Sequence, residues 1–306
     1  MDCKLCNTEE PNERTSHIDA LSTMDMIRLI NDEDKKIAFA VEQEAERIAL
    51  AVDIIAGQLK AGGRLIYCGC GTSGRLGVLD AVECPPTYST DPDMVVGLIA
   101  GGYDAMFRAV EGAEDNRALG EKDLREIHFG REDVLVGIAA SGRTPYVLGA
   151  MDYASRVGAH IIGVTCCPGS PVTKAAEIAI APDPGPEVVT GSTRMKSGTA
   201  QKMVLNMLST GAMIRLGKVY GNLMVDVKPS NEKLIGRCRR IVSAAAEVDE
   251  ETARDALERC GYRPKTAIVM LRLGVDGEKA LELLAQSEGR VAAALERGGS
   301  HGSSEM

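Results

Sequence analysis

Between Arg64 and Ala181, short apolar runs alternate with stretches of helical character, and this alternation constrains the fold more than any other feature of the chain. The runs are Arg64–Cys68, Met94–Ala100, Asp133–Ala139, His160–Thr165 and the weaker Ile178–Ala181. Between them the pattern predicts a helix to about Glu83, helical segments to about Ile127 and a helix after Thr144. Strands joined through helices run parallel, and a parallel sheet needs helices on both faces to bury its apolar side chains. The expected fold class is therefore α/β, a parallel sheet covered on both faces. Ligands of such sheets sit beyond the carboxyl ends of the strands. The loops after Cys68, Ala100 and Ala139 are where a site is expected.

The flanks read differently. Residues 1–20 are polar and read as an arm. Residues 24–60 read as helical, with caps and first-turn acids at Asn31-Asp32-Glu33-Asp34 and an apolar stripe through Ala38, Val41, Ala45, Ile48, Ala49 and Val52. A long helix is expected over about Ser197–Leu216. Past Pro229 the chain reads as a small helical bundle, with helices at 232–248, 250–260, 264–273 and 276–284. The final Gly-Gly-Ser-His-Gly-Ser-Ser-Glu-Met is expected to be disordered.

Composition narrows the partners. The 306 residues carry a formal charge of -9, no Trp and only 3% aromatics. Such a chain repels duplex nucleic acid and anionic membrane, and it lacks a stacking platform for single strands. No apolar run is long enough for a transmembrane helix, and the N-terminus lacks a signal core, so a cytoplasmic location is expected. Nine cysteines, an odd number without framework spacing, suit a reducing compartment. Cys3-x-x-Cys6 has no second ligand pair and carries no metal reading.

An anion must then be captured locally. Gly69-Cys-Gly-Thr-Ser-Gly74 matches G-x-G-x-x-G after a strand. The dinucleotide reading fails, because the next strand ends in Gly101-Gly102 and the acids Asp91 and Asp93 stand at its wrong end. The hydroxyls fit better. Thr72 and Ser73 open a helix at a glycine turn, where backbone N–H groups and the helix dipole point at an anion. Ser141-Gly142-Arg143-Thr144-Pro145 repeats the arrangement, with Pro145 suited to a first helical turn. Thr190-Gly-Ser-Thr-Arg194 precedes the long helix. One such loop is ordinarily only an N-cap; three on one parallel sheet point to a phosphomonoester site. Arg75, Arg143 and Arg194 are candidate phosphate partners.

Carboxylates near these loops are candidates for proton transfer. Glu83 precedes Cys84-Pro85-Pro86, and Pro85 biases Cys84 away from helix. Glu83 is therefore expected in a last helical turn, where the C-terminal partial charge, with Asp80 on the same face, raises a carboxyl pKa and suits a general acid. Glu111-Gly-Ala-Glu114-Asp115 follows the second strand, and Glu187 precedes the third hydroxyl loop. The four histidines form no constellation, and no H-E-x-x-H or Gly-x-Ser-x-Gly motif occurs.

Gly69–Gly77, Glu83-Cys-Pro-Pro-Thr-Tyr88, Val110–Asp115, Ala140–Tyr146, Val189–Lys196 and Gly221–Asp226 together resemble the N-acetylmuramic acid 6-phosphate etherases, over about Asn12 to Leu284. Cys70 stands where that family has a small residue such as Ala. The resemblance implies the sugar isomerase (SIS) fold and cleavage of a D-lactyl ether to N-acetylglucosamine 6-phosphate and lactate in peptidoglycan recycling. It implies a homodimer, Glu83 and Glu114 as the acid/base pair, and neither cofactor nor metal. The substrate-binding residues it suggests are Thr72, Ser73, Gly74, Ser141, Gly142, Thr144, Ser192, Arg194 and Lys196. It divides the chain into an arm with helices at 1–54, a sugar-phosphate domain at 55–220 and a ubiquitin-associated-like helical region at 221–306. An aldose–ketose isomerase or a non-catalytic sugar-phosphate sensor would share the phosphate loops, and lactate release separates the three.

Overall fold

The computed structural model of the chain describes residues 6–227, 229 and 232–302. The first helical stretch is three helices, α1 (Thr23–Asp34), α2 (Lys36–Glu42) and α3 (Ala45–Lys60). The alternating region follows as β1 (Leu65–Gly69), α4 (Gly71–Tyr88), β2 (Val95–Ile99), α5 (Asp104–Phe107), α6 (Arg117–Glu126), β3 (Val134–Ile138), α7 (Pro145–Val157), β4 (His160–Val164), α8 (Pro171–Ala175) and β5 (Ile178–Ile180). Then come α9 (Lys196–Arg215), a hairpin of β6 (Val219–Tyr220) and β7 (Leu223–Met224), and the helices α10 (Glu232–Ala246), α11 (Glu250–Arg259), α12 (Pro264–Leu273), α13 (Gly277–Gln286) and α14 (Val291–Gly302). The residues up to Val82 with Asp93–Gly211 form one compact unit, and Glu83–Pro92 with the residues from Ala212 form another.

In the first unit β1 to β5 make a parallel sheet in the order β2-β1-β3-β4-β5. Every residue of β1 and β3 is buried. Successive strand side chains point to opposite faces, so both faces of the sheet are covered, as the unbroken apolar runs require. The chain leaves β1 for β2 on one side and returns to β3 on the other. That reversal opens a crevice beyond the carboxyl ends of β1 and β3, where Gly69 is level with Ile138.

The helices after β2 and β3 are held together by glycine. A Cβ on Gly149 of α7 would lie 1.9 Å from the Arg117 carbonyl oxygen of α6, and one on Gly120 of α6 would lie 2.1 Å from the Tyr146 carbonyl oxygen. Tyr146, fully buried, donates its hydroxyl to Asp123 at 2.7 Å and its backbone N–H to the Glu114 carbonyl at 3.0 Å. The close pair α6–α7 therefore fixes the loop bearing Glu114 against the start of α7.

The second unit has its own core around Val242, Leu257, Ile268 and Leu283. Two features differ from expectation. The glycine-rich end is helical as far as Gly302, because Val291 and Ala294 anchor α14 in this core. A Cβ on Gly298 would stand 2.3 Å from a Leu273 methyl carbon, so that glycine serves close helix packing. Residues 303–306 lie outside the described ones. The β6–β7 hairpin turns at Gly221-Asn222, with Gly221 at φ +57, a signal that the sequence reading passed over. Among the described residues no helix is long and apolar enough to cross a membrane.

Substitution at two helical glycines should have opposite effects. Gly149→Ala should cost about 1–3 kcal/mol through overpacking. Gly57→Ala, on an exposed face of α3 with nothing within 4 Å of the new Cβ, should stabilise by roughly 0.5–1 kcal/mol. Urea midpoints measure both; equal midpoints for Gly149→Ala and the parent would mean that α6 and α7 part without cost.

Candidate active site

The first hydroxyl loop is shaped by backbone contact. A Cβ on Gly74 would meet the Gly69 carbonyl oxygen and an Ile99 side-chain carbon, each at 2.7 Å, so the first turn of α4 lies directly on the end of β1. Gly71 has φ +51, in the left-handed region. The first N–H groups of α4 have no intrahelical acceptor, and they face out beyond the sheet with the positive end of the helix dipole. Thr72 is half-buried, and the buried Ser73 donates to Gln201 Oε1 at 2.8 Å.

The second loop is built the same way. Gly142 has φ +65, and a Cβ there would fall 2.1 Å from Ser170 Oγ. The turn closes through the Gly142 N–H to the Ala139 carbonyl at 3.0 Å. Thr144 is the residue before α7, Pro145 takes the first turn, and the Thr144 hydroxyl caps no backbone N–H. Its hydroxyl is therefore available to a ligand.

These loops meet in a cleft of about 230 Å³. Thr72, Ser73, Ser141, Thr144, Thr193 and Glu114 line it. Of the residues expected to bind substrate, Gly74, Gly142, Ser192, Arg194 and Lys196 are not among its lining residues, although Gly74 and Gly142 set the turns that carry Thr72, Ser73, Ser141 and Thr144. The third loop contributes Thr193 instead. Glu9 of the N-terminal arm also lines the cleft.

The structure holds Lys196 in a buried ion pair. It is 1% exposed, and its Nζ binds Glu33 Oε2 at 3.0 Å and the Pro184 carbonyl at 2.8 Å. Burial works against the charge of Glu33, but hydrogen bonds from Lys36, Lys196 and Asn12 outweigh it and hold the carboxyl at about 2. Glu187, a candidate acid in the sequence, is also structural. It is fully buried and accepts the N–H groups of Lys196 and Ser197 and the Ser197 hydroxyl, all within 2.9 Å, which caps α9.

The arm is anchored along the same segment. Thr15 donates to the Val188 carbonyl at 2.8 Å, Asn12 to the Pro186 carbonyl at 3.3 Å, and Asn7 to Asp183. Cys6 is disulfide-bonded to Cys167, a pairing that the lack of framework spacing did not suggest; the partner is 161 residues away. Cys3 lies outside the described residues.

Glu114 reaches the cleft from the loop pinned by Tyr146. Cys70 places its thiol 3.8 Å from Glu114 Oε2. Burial, and then the Glu114 charge, push that thiol up to about 11, so it stays protonated and donates to the carboxylate. Arg75 does not reach an anion with its Nε and Nη2. It donates them to the Met106 carbonyl at 3.0 Å and the Ala105 carbonyl at 2.7 Å, which ends α5. Arg143 and Arg194 are exposed.

Glu83 corrects a local rule. α4 continues through Pro85 and Pro86 to Tyr88, so Glu83 is exposed within a helix and not in its last turn. The helix-end argument for its role as the acid does not hold. Asp80 is engaged elsewhere: Tyr67 donates to it at 2.8 Å and Asn206 at 2.6 Å, and burial raises its pKa despite these bonds. Glu83 is not among the residues lining the cleft.

Comparison with known proteins follows the same outline. Residues 47–155 match the glucokinase regulatory protein N-terminal SIS domain, and residues 125–211 match the SIS domain. The chain is 60% identical over 282 residues to an N-acetylmuramic acid 6-phosphate etherase of Photorhabdus laumondii subsp. laumondii, covering 92% of this chain and 94% of that one. It is 58% identical to the protein of that name from Photobacterium profundum, over 95% of this chain and 97% of that one. For the protein of that name from Clostridium botulinum strain Langeland the identity is 57%, over 94% and 95%.

The Glu33–Lys196 pair gives a pH signature. A carboxyl held at about 2 against an ordinary 4.5 contributes stability that is complete above pH 4.5 and is lost as pH falls toward 2. The loss should be on the order of 3 kcal/mol. Glu33→Gln should destabilise at neutral pH by about 3–5 kcal/mol, since it strands the buried Lys196, and should flatten the acid limb. Urea unfolding at pH 7, 4.5 and 3 measures this; an unchanged acid limb in the variant would place the linkage elsewhere.

Proposed function

The chain belongs to the N-acetylmuramic acid 6-phosphate etherase family, and from that premise we propose that it cleaves the D-lactyl ether of N-acetylmuramic acid 6-phosphate. The products are N-acetylglucosamine 6-phosphate and D-lactate, formed by elimination and addition of water, in peptidoglycan recycling. The observation that carries this reading is the meeting of hydroxyl-bearing helix starts and the Glu114 carboxylate in one cleft beyond the ends of β1 and β3.

The chemistry needs two proton transfers. The C2 proton of the sugar is acidic only when the ring is open to an aldehyde, and a carboxylate then removes it. The ether oxygen at C3 is a poor leaving group and requires a proton as lactate departs. Water adds to the unsaturated aldehyde and the C2 proton returns. A positioned acid or base typically contributes about 10²–10⁴ in rate. Glu114 takes one role in the cleft, and Glu83 takes the other on the strength of its Glu-Cys-Pro-Pro-Thr-Tyr motif. Thr72, Ser141, Thr144 and Thr193, with the N–H groups opening α4, hold the phosphate and orient the sugar, and Ser73, its hydroxyl donated to Gln201, offers its backbone N–H.

The enzyme is proposed to act as a cytoplasmic homodimer. Its proposed organisation is an arm with helices at 1–54, the sugar-phosphate-binding domain at 55–220 and a ubiquitin-associated-like helical region at 221–306.

Two measurements test the reading. The purified protein should release D-lactate from N-acetylmuramic acid 6-phosphate, with solvent oxygen entering the sugar at C3 and solvent deuterium at C2. Glu114→Gln and Glu83→Gln should each slow lactate release by about 10²-fold or more while the protein stays folded. Of the two, the variant that still exchanges the C2 proton lacks the acid. An isomerised sugar without lactate, or solvent oxygen found only in lactate, would overturn the mechanism. Separately, Ser141→Ala should weaken competition by inorganic phosphate by about 5–10-fold, the worth of one charge-assisted hydrogen bond. Equal loss of affinity for the unphosphorylated sugar would mean that this loop does not read phosphate.

A further inference from the structure

The cleft has a second compartment of about 260 Å³, which shares Cys70, Gly71 and Glu114 with the first. Its walls differ in chemistry. The first compartment is lined by hydroxyls and carries no arginine or lysine, whereas the second is lined by two guanidinium groups, Arg75 and Arg108, and by Glu111. Glu114 stands where the two meet.

The two arginines are not equivalent. Arg75 is committed to the scaffold, since its bonds to the Ala105 and Met106 carbonyls end α5. Ending α5 there turns the backbone of Arg108 to an extended conformation, φ -138 and ψ 154. The Arg108 side chain is exposed and makes no hydrogen bond or ion pair among the described residues. A guanidinium presents paired donors that match a carboxylate, and such pairs are the strong charge-assisted hydrogen bonds of proteins.

The substrate of the proposed reaction has two anionic ends, the phosphate and the lactyl carboxylate, with the reacting carbons between them. If the phosphate occupies the hydroxyl compartment, the carbons pass Glu114 and the lactyl group enters the second compartment. A carboxylate leaving water there needs a cation with free donors. We propose that Arg108 receives the lactyl carboxylate and so determines specificity for the lactyl ether, with Arg75 as the residue that positions it. Glu111, on the same compartment, opposes the incoming charge and prevents the released lactate from being held. This inference rests on the etherase reading and on the phosphate lying with the hydroxyls.

The test compares substrate with the product that lacks the lactyl group. In Arg108→Gln, KM for N-acetylmuramic acid 6-phosphate should rise about 10–100-fold, the worth of a charge-assisted pair. The inhibition constant of N-acetylglucosamine 6-phosphate should stay within about twofold, since hydrogen bonds to the phosphate are untouched. Arg108→Lys should recover part of the loss, and Glu111→Gln should lower KM by relieving like charge. A merely structural role for Arg108 would weaken substrate and product together, and that result, or an unchanged KM, overturns the proposal. The parent protein separates this from the broader reading: no lactate from the parent removes the etherase function itself, whereas lactate release with an indifferent Arg108→Gln removes only the lactyl-binding role.

Discussion

The backbone bond from the Tyr146 N–H to the Glu114 carbonyl, 3.0 Å long, is the joint on which the site depends. It ties an acid on the loop after β2 to the first turn of the helix after β3. The sheet order makes the joint possible, because the chain reverses between β1 and β3 and brings the ends of their loops to one crevice. The glycine contacts of α6 and α7 make it rigid, since neither helix can draw back without opening a void against the other. A proton-transfer group acts efficiently only when it is held in place, and here the holding is done by backbone and packing, not by the acid's own side chain.

What the sequence disclosed were features with local causes. The five strands, the glycine turns and the hydroxyls at the starts of α4 and α7 follow from periodicity and from the demands of a strand-to-helix turn, which a few neighbouring residues express. What it concealed were partners distant along the chain. Lys196 stood among the expected substrate-binding residues, and its carboxylate partner, Glu33, is 163 residues away. Glu9 gave no signal, because only the anchoring of the arm to Asp183, Pro186 and Val188 brings it to the cleft. Gln201, which receives the Ser73 hydroxyl, was hidden inside a helix with no motif of its own. The double proline misled for another reason. The bias of a pre-proline residue away from helix is a preference of modest size, and a helix formed on both sides of Pro85 and Pro86 overrode it.

The cations resolve a difficulty posed by the net charge. A chain at -9 that is to hold a doubly charged phosphate is expected to place basic residues in the cleft. The structure uses them elsewhere: Lys196 in a buried ion pair and Arg75 on carbonyl oxygens. Arg143 and Arg194, both exposed, are not among the residues lining the hydroxyl compartment. On the proposed reading the phosphate is held by neutral donors, hydroxyls and the N–H groups that open α4. Such donors are directional and fixed by the helix starts, whereas a lysine is a mobile point charge. They therefore set the angle at which the sugar leaves the phosphate, and so where its reacting carbons fall.

That choice has a consequence for the acid/base groups. On the side of the hydroxyl compartment no lysine or arginine among the described residues lines the cleft beside Glu114. On that side its neighbours are the Cys70 thiol, which burial and the Glu114 charge keep protonated, and neutral hydroxyls, while Arg75, Arg108 and Glu111 line the other compartment. The thiol marks the carboxylate with one weak donor and leaves the rest of its hydrogen-bonding capacity to substrate. Cys70 thus adds a polarisable contact without adding a charge.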